Sequence, residues 1–226
     1  MKTNEKFVGF TQETFNFFAE LKENNYKPWF EEHRTVYEQE VLKPLKALVL
    51  ALTPAMYSID YEMDFRSQKI ISRIYRDIRF STDKSPYKTN MWITFQRLVP
   101  NWEGFPGFYM EISADCYQYG MGLYLAKKNI MDNYRAKIEY EPESFRQMTQ
   151  DLIVKYRFEL GGDEYKRPIS NTLPDHFKTW IQRKSIYLYK TCPIGKELFD
   201  EGFAKHLSDE FSLLQDFYNF LVEVCD

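Results

Sequence analysis

Apolar residues recur at helical spacing from the start of the chain. Phe10 precedes Thr11, a helix-capping residue type, and Phe15, Phe18 and Leu21 follow on one face. That spacing predicts a helix with Phe10 packed on Phe15 as a hydrophobic staple. Asn24 and Asn25 are expected to end it. Pro28 then opens a second helical pattern, in which Trp29, His33, Tyr37, Val41, Leu45, Leu48 and Leu52 share a face; Pro44 should kink this helix and Pro54 should stop it. Between Ser58 and Leu125 the period changes. Short aromatic and β-branched runs over residues 91–96, 108–113 and 117–125 read as strands, the last two forming an antiparallel hairpin across a tight turn at 114–116. Helical spacing returns at 129–138 and 142–156, the latter with Phe145, Met148 and Leu152 on one side. A short helix after Pro174 carries Phe177, Trp180 and Ile181. Residues 185–190 read as a further strand, and two closing helices follow, the second capped by Ser208 with Phe211, Leu214, Phe217 or Tyr218, and Leu221 buried.

Helices, then strands, then helices define an α+β fold: a central, mostly antiparallel sheet flanked by N-terminal and C-terminal helices. There is no internal repeat and no Pro, Gly or Ser-rich linker. The loop 161–174 is the only candidate boundary, so residues 1–226 are expected to form a single domain. With 44% hydrophobic and 18% aromatic residues the chain has ample material for a core. A net charge of -3 excludes a global field drawing the protein to nucleic acid or an anionic membrane, so nucleic acid is a disfavoured partner. Cys116, Cys192 and Cys225 are odd in number and contain no CxxC pair. This fits a reducing compartment better than a disulfide framework. The first ten residues lack a signal-peptide core, and no stretch approaches about 18 consecutive apolar residues, so a cytoplasmic protein without a membrane partner is expected.

One segment departs from this scaffold. Residues 73–88, RIYRDIRFSTDKSPYK, place five cationic side chains beside two acidic ones and three Tyr or Phe rings. Arg73, Arg76 and Arg79 present planar forks suited to phosphate or carboxylate oxygens, Lys84 and Lys88 add point charges, and Tyr75 and Tyr87 offer ring faces. The segment is therefore expected to bind a small anionic ligand, phosphorylated or carboxylated. The spacing of Ile70, Ile71, Ile74 and Ile78 fits a helix, while alternation of Ile74, Arg76, Ile78 and Phe80 fits a strand equally well. The competing reading is a structural network in which Asp77 and Asp83 neutralise two cations, with Glu31, Glu32 or Glu62 available for others.

These residues resemble a known family. Phe10, Phe17-Phe18, Leu21, Asn24-Asn25 and Trp29-Phe30 are followed by Arg76-Asp77, Arg79-Phe80-Ser81, Asp83-Lys84 and Pro86-Tyr87-Lys88, and then by Gly120, Gly122 and Tyr124. The series is similar to the uncharacterised bacterial family catalogued as domain of unknown function 2461, over nearly the whole chain. That resemblance carries no activity with it.

Enzymatic chemistry is left open. A hydrolase or transferase at the same segment would draw its base from Asp77, Asp83 or Glu111, the last alternating with apolar residues along its strand. A protein or nucleic-acid interaction module is the third alternative. Ser81 and Ser85 lack a neighbouring histidine, and Cys192, before Pro193, is placed at a helix start. Gly120 and Gly122 read as a site of close backbone approach rather than a phosphate loop. His33, His176 and His206 lack a second ligand at metal spacing, so neither metal nor cofactor is implied.

Overall fold

A computed structural model of the chain describes residues 6–79, 82–99, 104–169 and 172–225. The elements are α1 Gln12–Glu23, α2 Lys27–Glu32, α3 Arg34–Val36, α4 Lys43–Ile59, α5 Ser67–Ile70, β1 Asn90–Gln96, β2 Gly107–Ser113, β3 Cys116–Leu123, α6 Lys128–Tyr140, α7 Pro142–Val154, β4 Glu159–Gly161, α8 Lys178–Ile181, β5 Ile186–Pro193, α9 Phe203–Leu213 and α10 Gln215–Cys225. The fold is α+β, with five strands among the described residues in one sheet of order β1-β2-β3-β5-β4. Along β1 every second residue is fully buried (Met91, Ile93, Phe95) and the intervening Trp92 and Thr94 are half-buried, the alternation of a sheet with one face on a core. The chain divides into two compact units. The first comprises Met1–Phe95, Tyr109–Gln118 and Thr191–Asp209, the second Gln96–Phe108, Tyr119–Lys190 and Glu210–Asp226.

In the first unit, the opening staple forms as its pattern predicts: the Phe10 and Phe15 rings lie 6.3 Å apart, and Phe15, Phe18 and Leu21 are buried. The Thr11 N–H donates to Thr14 Oγ1 at 3.3 Å, and Asn24 caps the end of α1. The helix begun at Pro28 is not continuous. It breaks into α2 and α3, passes through a π-helical turn at Tyr37–Leu42 and resumes as α4. Pro44 has no N–H for the carbonyl of Glu40 four residues earlier, and that carbonyl accepts a hydrogen bond from Thr14 Oγ1 at 2.6 Å. Pro54 does not stop the helix, which runs on to Ile59. Its missing N–H would have met the carbonyl of Leu50, an exposed residue, while Leu52 and Met56 remain buried and continue the face.

In the second unit, Phe145 of α7 packs against Tyr134 of α6, Trp180 of α8 and Phe217 of α10, with ring centroids 6.1, 5.1 and 6.5 Å away. Gly120 and Gly122 of β3 lie against β5, where a Cβ on either would collide with the backbone of Leu188 or Ile186. Close approach is thus the reason for both glycines. The three-residue strand β4 has no pattern of its own; it pairs antiparallel with β5 in the register Glu159↔Tyr189, Leu160↔Leu188 and Gly161↔Tyr187. Ser208 does not begin the last helix. It lies inside α9, because Phe203, Leu207 and Phe211 keep one buried face running past it, and the helix break falls at Leu214 instead. Cys192 sits on β5, not at a helix start.

Candidate functional site

Among the described residues of the segment 73–88, which are 73–79 and 82–88, neither the helix nor the strand that the spacing allows is formed. These residues make a loop closed at its neck by backbone. At the base, the Ser72 N–H donates to the Trp92 carbonyl at 2.8 Å, and the Trp92 N–H donates to Ser72 Oγ at 3.0 Å, tying the segment to β1. Tyr75 and Tyr87 then face each other as an isolated antiparallel bridge, with the Arg76 N–H on the Pro86 carbonyl at 2.9 Å and the Lys88 N–H on the Ile74 carbonyl at 2.8 Å. Ile70, Ile71 and Ile74 are buried but Ile78 is exposed, so the apolar spacing is satisfied only as far as the neck.

Asn25 holds the far strand of this neck. Its side-chain amide accepts from the Tyr87 N–H and donates to the Tyr87 carbonyl, both at 3.0 Å, in the manner of a neighbouring β-strand. This residue looked like nothing more than a helix terminator, and its partner lies 62 positions away. Tyr87 is only 2% exposed, with its ring stacked on Phe30 at 4.1 Å. It therefore supports the segment from beneath and offers no face to a ligand. Tyr75 is 53% exposed, its ring 5.5 Å from Tyr87. Phe80 and Ser81 lie outside the described residues.

The five cations have different surroundings. Arg79 grips Asp77 with two side-chain hydrogen bonds of 2.9 and 2.6 Å. Arg76 reaches Asp83 at 3.1 Å and the Tyr87 carbonyl at 3.3 Å. Lys84 donates to the Ile78 carbonyl at 2.8 Å. Lys88 donates to the Arg73 carbonyl at 2.6 Å, and its ammonium lies 4.2 Å from the centre of the Trp92 ring. Among the described residues, Arg73, Lys84 and Lys88 form no ion pair with a carboxylate, though the Arg73 charge helps to lower Asp77, and the Arg73 guanidinium makes no hydrogen bond. Glu31, one of the glutamates near enough in principle, is taken by Arg34, whose Nη2 lies 2.8 Å from it.

These contacts set the acid-base properties. Hydrogen bonds from the Arg79 side chain and backbone lower Asp77 to about 2, and the Ser85 hydroxyl and N–H, with Arg76 adding attraction, lower Asp83. Both carboxylates are thereby held ionised and weakly basic. Burial, reinforced by repulsion from Arg73 and Arg76, lowers the Lys88 amine. Beneath the neck, burial pushes Tyr37 up to about 12, with Tyr75 and Glu38 adding to the effect. Glu111 sits on the half-exposed face of β2, between buried Met110 and Ile112.

The remaining candidates have packing roles. His33 stacks on Trp29 at 4.0 Å, with Nδ1 2.8 Å from the Trp29 carbonyl. Ser85 Oγ donates to Asp83 at 2.7 Å, a turn-stabilising contact. Cys116 and Ser113 close the β2–β3 turn together: the Ser113 hydroxyl donates to the Cys116 carbonyl at 3.0 Å. Among the described residues no group of three or more His, Cys, Asp or Glu side chains is arranged to hold a metal ion, and no helix is long and apolar enough to cross a membrane.

Comparison with curated proteins returns no match. A family model described as "Conserved hypothetical protein (DUF2461)" matches residues 13–220, and the chain, carrying the Asn25-held neck and the cationic loop within that span, belongs to this family.

Proposed function

We propose that the 73–88 segment binds a small anionic ligand, phosphorylated or carboxylated, through Arg73, Arg76 and Lys88, with Tyr75 alongside. The reading rests chiefly on one observation: among the described residues the Arg73 guanidinium makes no hydrogen bond, and the half-buried Lys88 has a backbone carbonyl as its only hydrogen-bond partner. Like charges held together at this density are relieved by an anion, and two guanidinium forks beside an ammonium match tetrahedral or planar oxygen groups. Arg79 and Lys84 lie toward the tip, where Asp77 and the Ile78 carbonyl engage them; Arg76 is itself paired with Asp83 at 3.1 Å, and an incoming anion would compete with that carboxylate. A hydrolase or transferase using Asp77 or Asp83 as base has less support, because both are acidified by their hydrogen bonds.

The test is a thermal-shift series with inorganic phosphate, sugar phosphates, nucleotides and dicarboxylates, run against sodium chloride of equal ionic strength, since a ligand preferring the folded state raises the melting temperature. Arg73→Ala is the informative variant: its side chain is exposed and makes no hydrogen bond among the described residues, so its own melting temperature should match wild type while the ligand-induced rise disappears. If no anion exceeds the sodium chloride control, the reading fails.

A further inference from the structure

We propose that Asp83 is a built-in competitor for the segment's ligand: its carboxylate occupies Arg76, and an anion that binds takes over that arginine and releases Asp83 to water. The inference rests on the anion-binding reading of the segment and adds its regulation.

Asp83 is held at both carboxylate oxygens. Oδ1 accepts the Ser85 N–H at 2.9 Å and the Ser85 hydroxyl at 2.7 Å, which fixes the turn, and Oδ2 lies 3.1 Å from Arg76 Nη2. The Ser85 contacts are local, whereas the Arg76 contact crosses the loop. Only the second has to break when an anion arrives. The Asp83 side chain is 53% exposed, so water takes up its carboxylate as it leaves and no buried charge is stranded.

Arg76 is the poorly satisfied partner. Its Nη2 serves both Asp83 and the Tyr87 carbonyl, at 3.1 and 3.3 Å, while its Nε is buried with no hydrogen-bond partner among the described residues. A guanidinium is a planar fork that two oxygens of one anion can meet side by side, and the single-point contact with Asp83 leaves that capacity unused. Arg73, exposed and making no hydrogen bond among the described residues, has its fork available to the same anion. The neck does not depend on the exchange, because the Tyr75–Tyr87 bridge and Asn25 close it without Asp83. A ligand thus meets a site whose second arginine is ready only when Asp83 has let go, and its apparent dissociation constant is raised accordingly. For an exposed ion pair that factor is up to about fivefold.

The test measures the dissociation constant of inorganic phosphate by titration, against sodium chloride of equal ionic strength, in the wild-type protein, Asp83→Asn and Asp77→Asn, each checked for folding by its melting curve. Asn at position 83 keeps an oxygen for the Ser85 N–H and hydroxyl, so the turn stays while the charge goes. Asp77 is the control for lost negative field: it lies in the same segment and acts on Arg73 through its charge, but its carboxylate is engaged by Arg79. Phosphate should bind Asp83→Asn about three- to fivefold tighter than wild type, and Asp77→Asn at most about twofold tighter. Equal gains in the two variants, or no gain in Asp83→Asn, overturns the proposal. Failure of the binding reading looks different: phosphate then exceeds the sodium chloride control in none of the three proteins. Phosphate binding to wild type without a larger gain in Asp83→Asn sinks the competitor alone.

Discussion

Arg135 and Arg183 in the second unit, and Arg73, Arg76 and Lys88 in the first, are both cationic clusters, yet they are handled in opposite ways. Arg135 is 8% exposed, and its guanidinium donates to the Ile181 carbonyl at 2.8 Å, the Arg183 carbonyl at 2.6 Å and Asp132 at 3.1 Å. Arg183 donates to the carbonyls of Thr179 and Gly162 and pairs with Glu164 at 3.2 Å. Burial of a guanidinium is tolerable only when its donors are engaged, so these two arginines are tied into the backbone around α8 and have nothing left to offer a ligand. In the 73–88 cluster Arg73 is exposed, where an unengaged donor carries little penalty, whereas Arg76 is paired with Asp83 at 3.1 Å and keeps a buried, unpartnered Nε. Arg73 can then remain unbonded among the described residues, and Lys88 can remain without a carboxylate. Cation density alone does not separate scaffold from site; the state of the donors does.

Three experiments press on that contrast. The largest effect is expected from Arg135→Ala, which strips the Ile181 and Arg183 carbonyls of a charged donor and should destabilise the protein by about 3 kcal/mol in urea unfolding. A loss under about 1 kcal/mol would mean that water replaces the guanidinium there and that the two clusters are alike. Next comes Asn25→Ala. Removing both hydrogen bonds to Tyr87 should reduce stability by about 1–2 kcal/mol and weaken the phosphate-induced melting shift, because the neck that sets Lys88 beside Arg73 loosens. An unchanged phosphate response in that variant would show that the cation geometry does not depend on Asn25.

The smallest effect concerns Asp77. Its carboxyl titrates at about 2 when folded, against an ordinary value of 3.8, so the folded state binds fewer protons between those limits. The stabilisation is present above the ordinary value and is lost as pH falls through about 2. Melting temperatures at descending pH should show a shallow decline across that window, absent in Asp77→Asn. Identical profiles would show that the exposed Arg79–Asp77 pair contributes nothing measurable.

Local signals survived into the structure where their partners are close in sequence. The Phe10–Phe15 staple, the Asn24 cap, the three strands at β1 to β3 and the hairpin between β2 and β3 all depend on neighbours within one or two turns or one short loop. Signals whose outcome depends on distant atoms did not. Pro44 produced a widened turn because Thr14 on another helix takes the freed carbonyl of Glu40, and Pro54 was absorbed because Leu50 faces water. Strand β4 exists only through its pairing with β5. The candidate site divides likewise. Its cation density was plain in the sequence, but the retreat of Tyr87 under Phe30 and the bracket of Asn25 were not.

The sequence by itself determined the family, the order of helices and strands, and which short stretch gathers positive charge, because each is written in residue identity and spacing. Only the tertiary structure decided which of those charges are engaged. Ion pairing, burial and hydrogen bonding depend on distances between groups that the chain brings together from positions far apart, and those distances leave Arg79 locked to Asp77 while Lys88 faces two arginines and an indole.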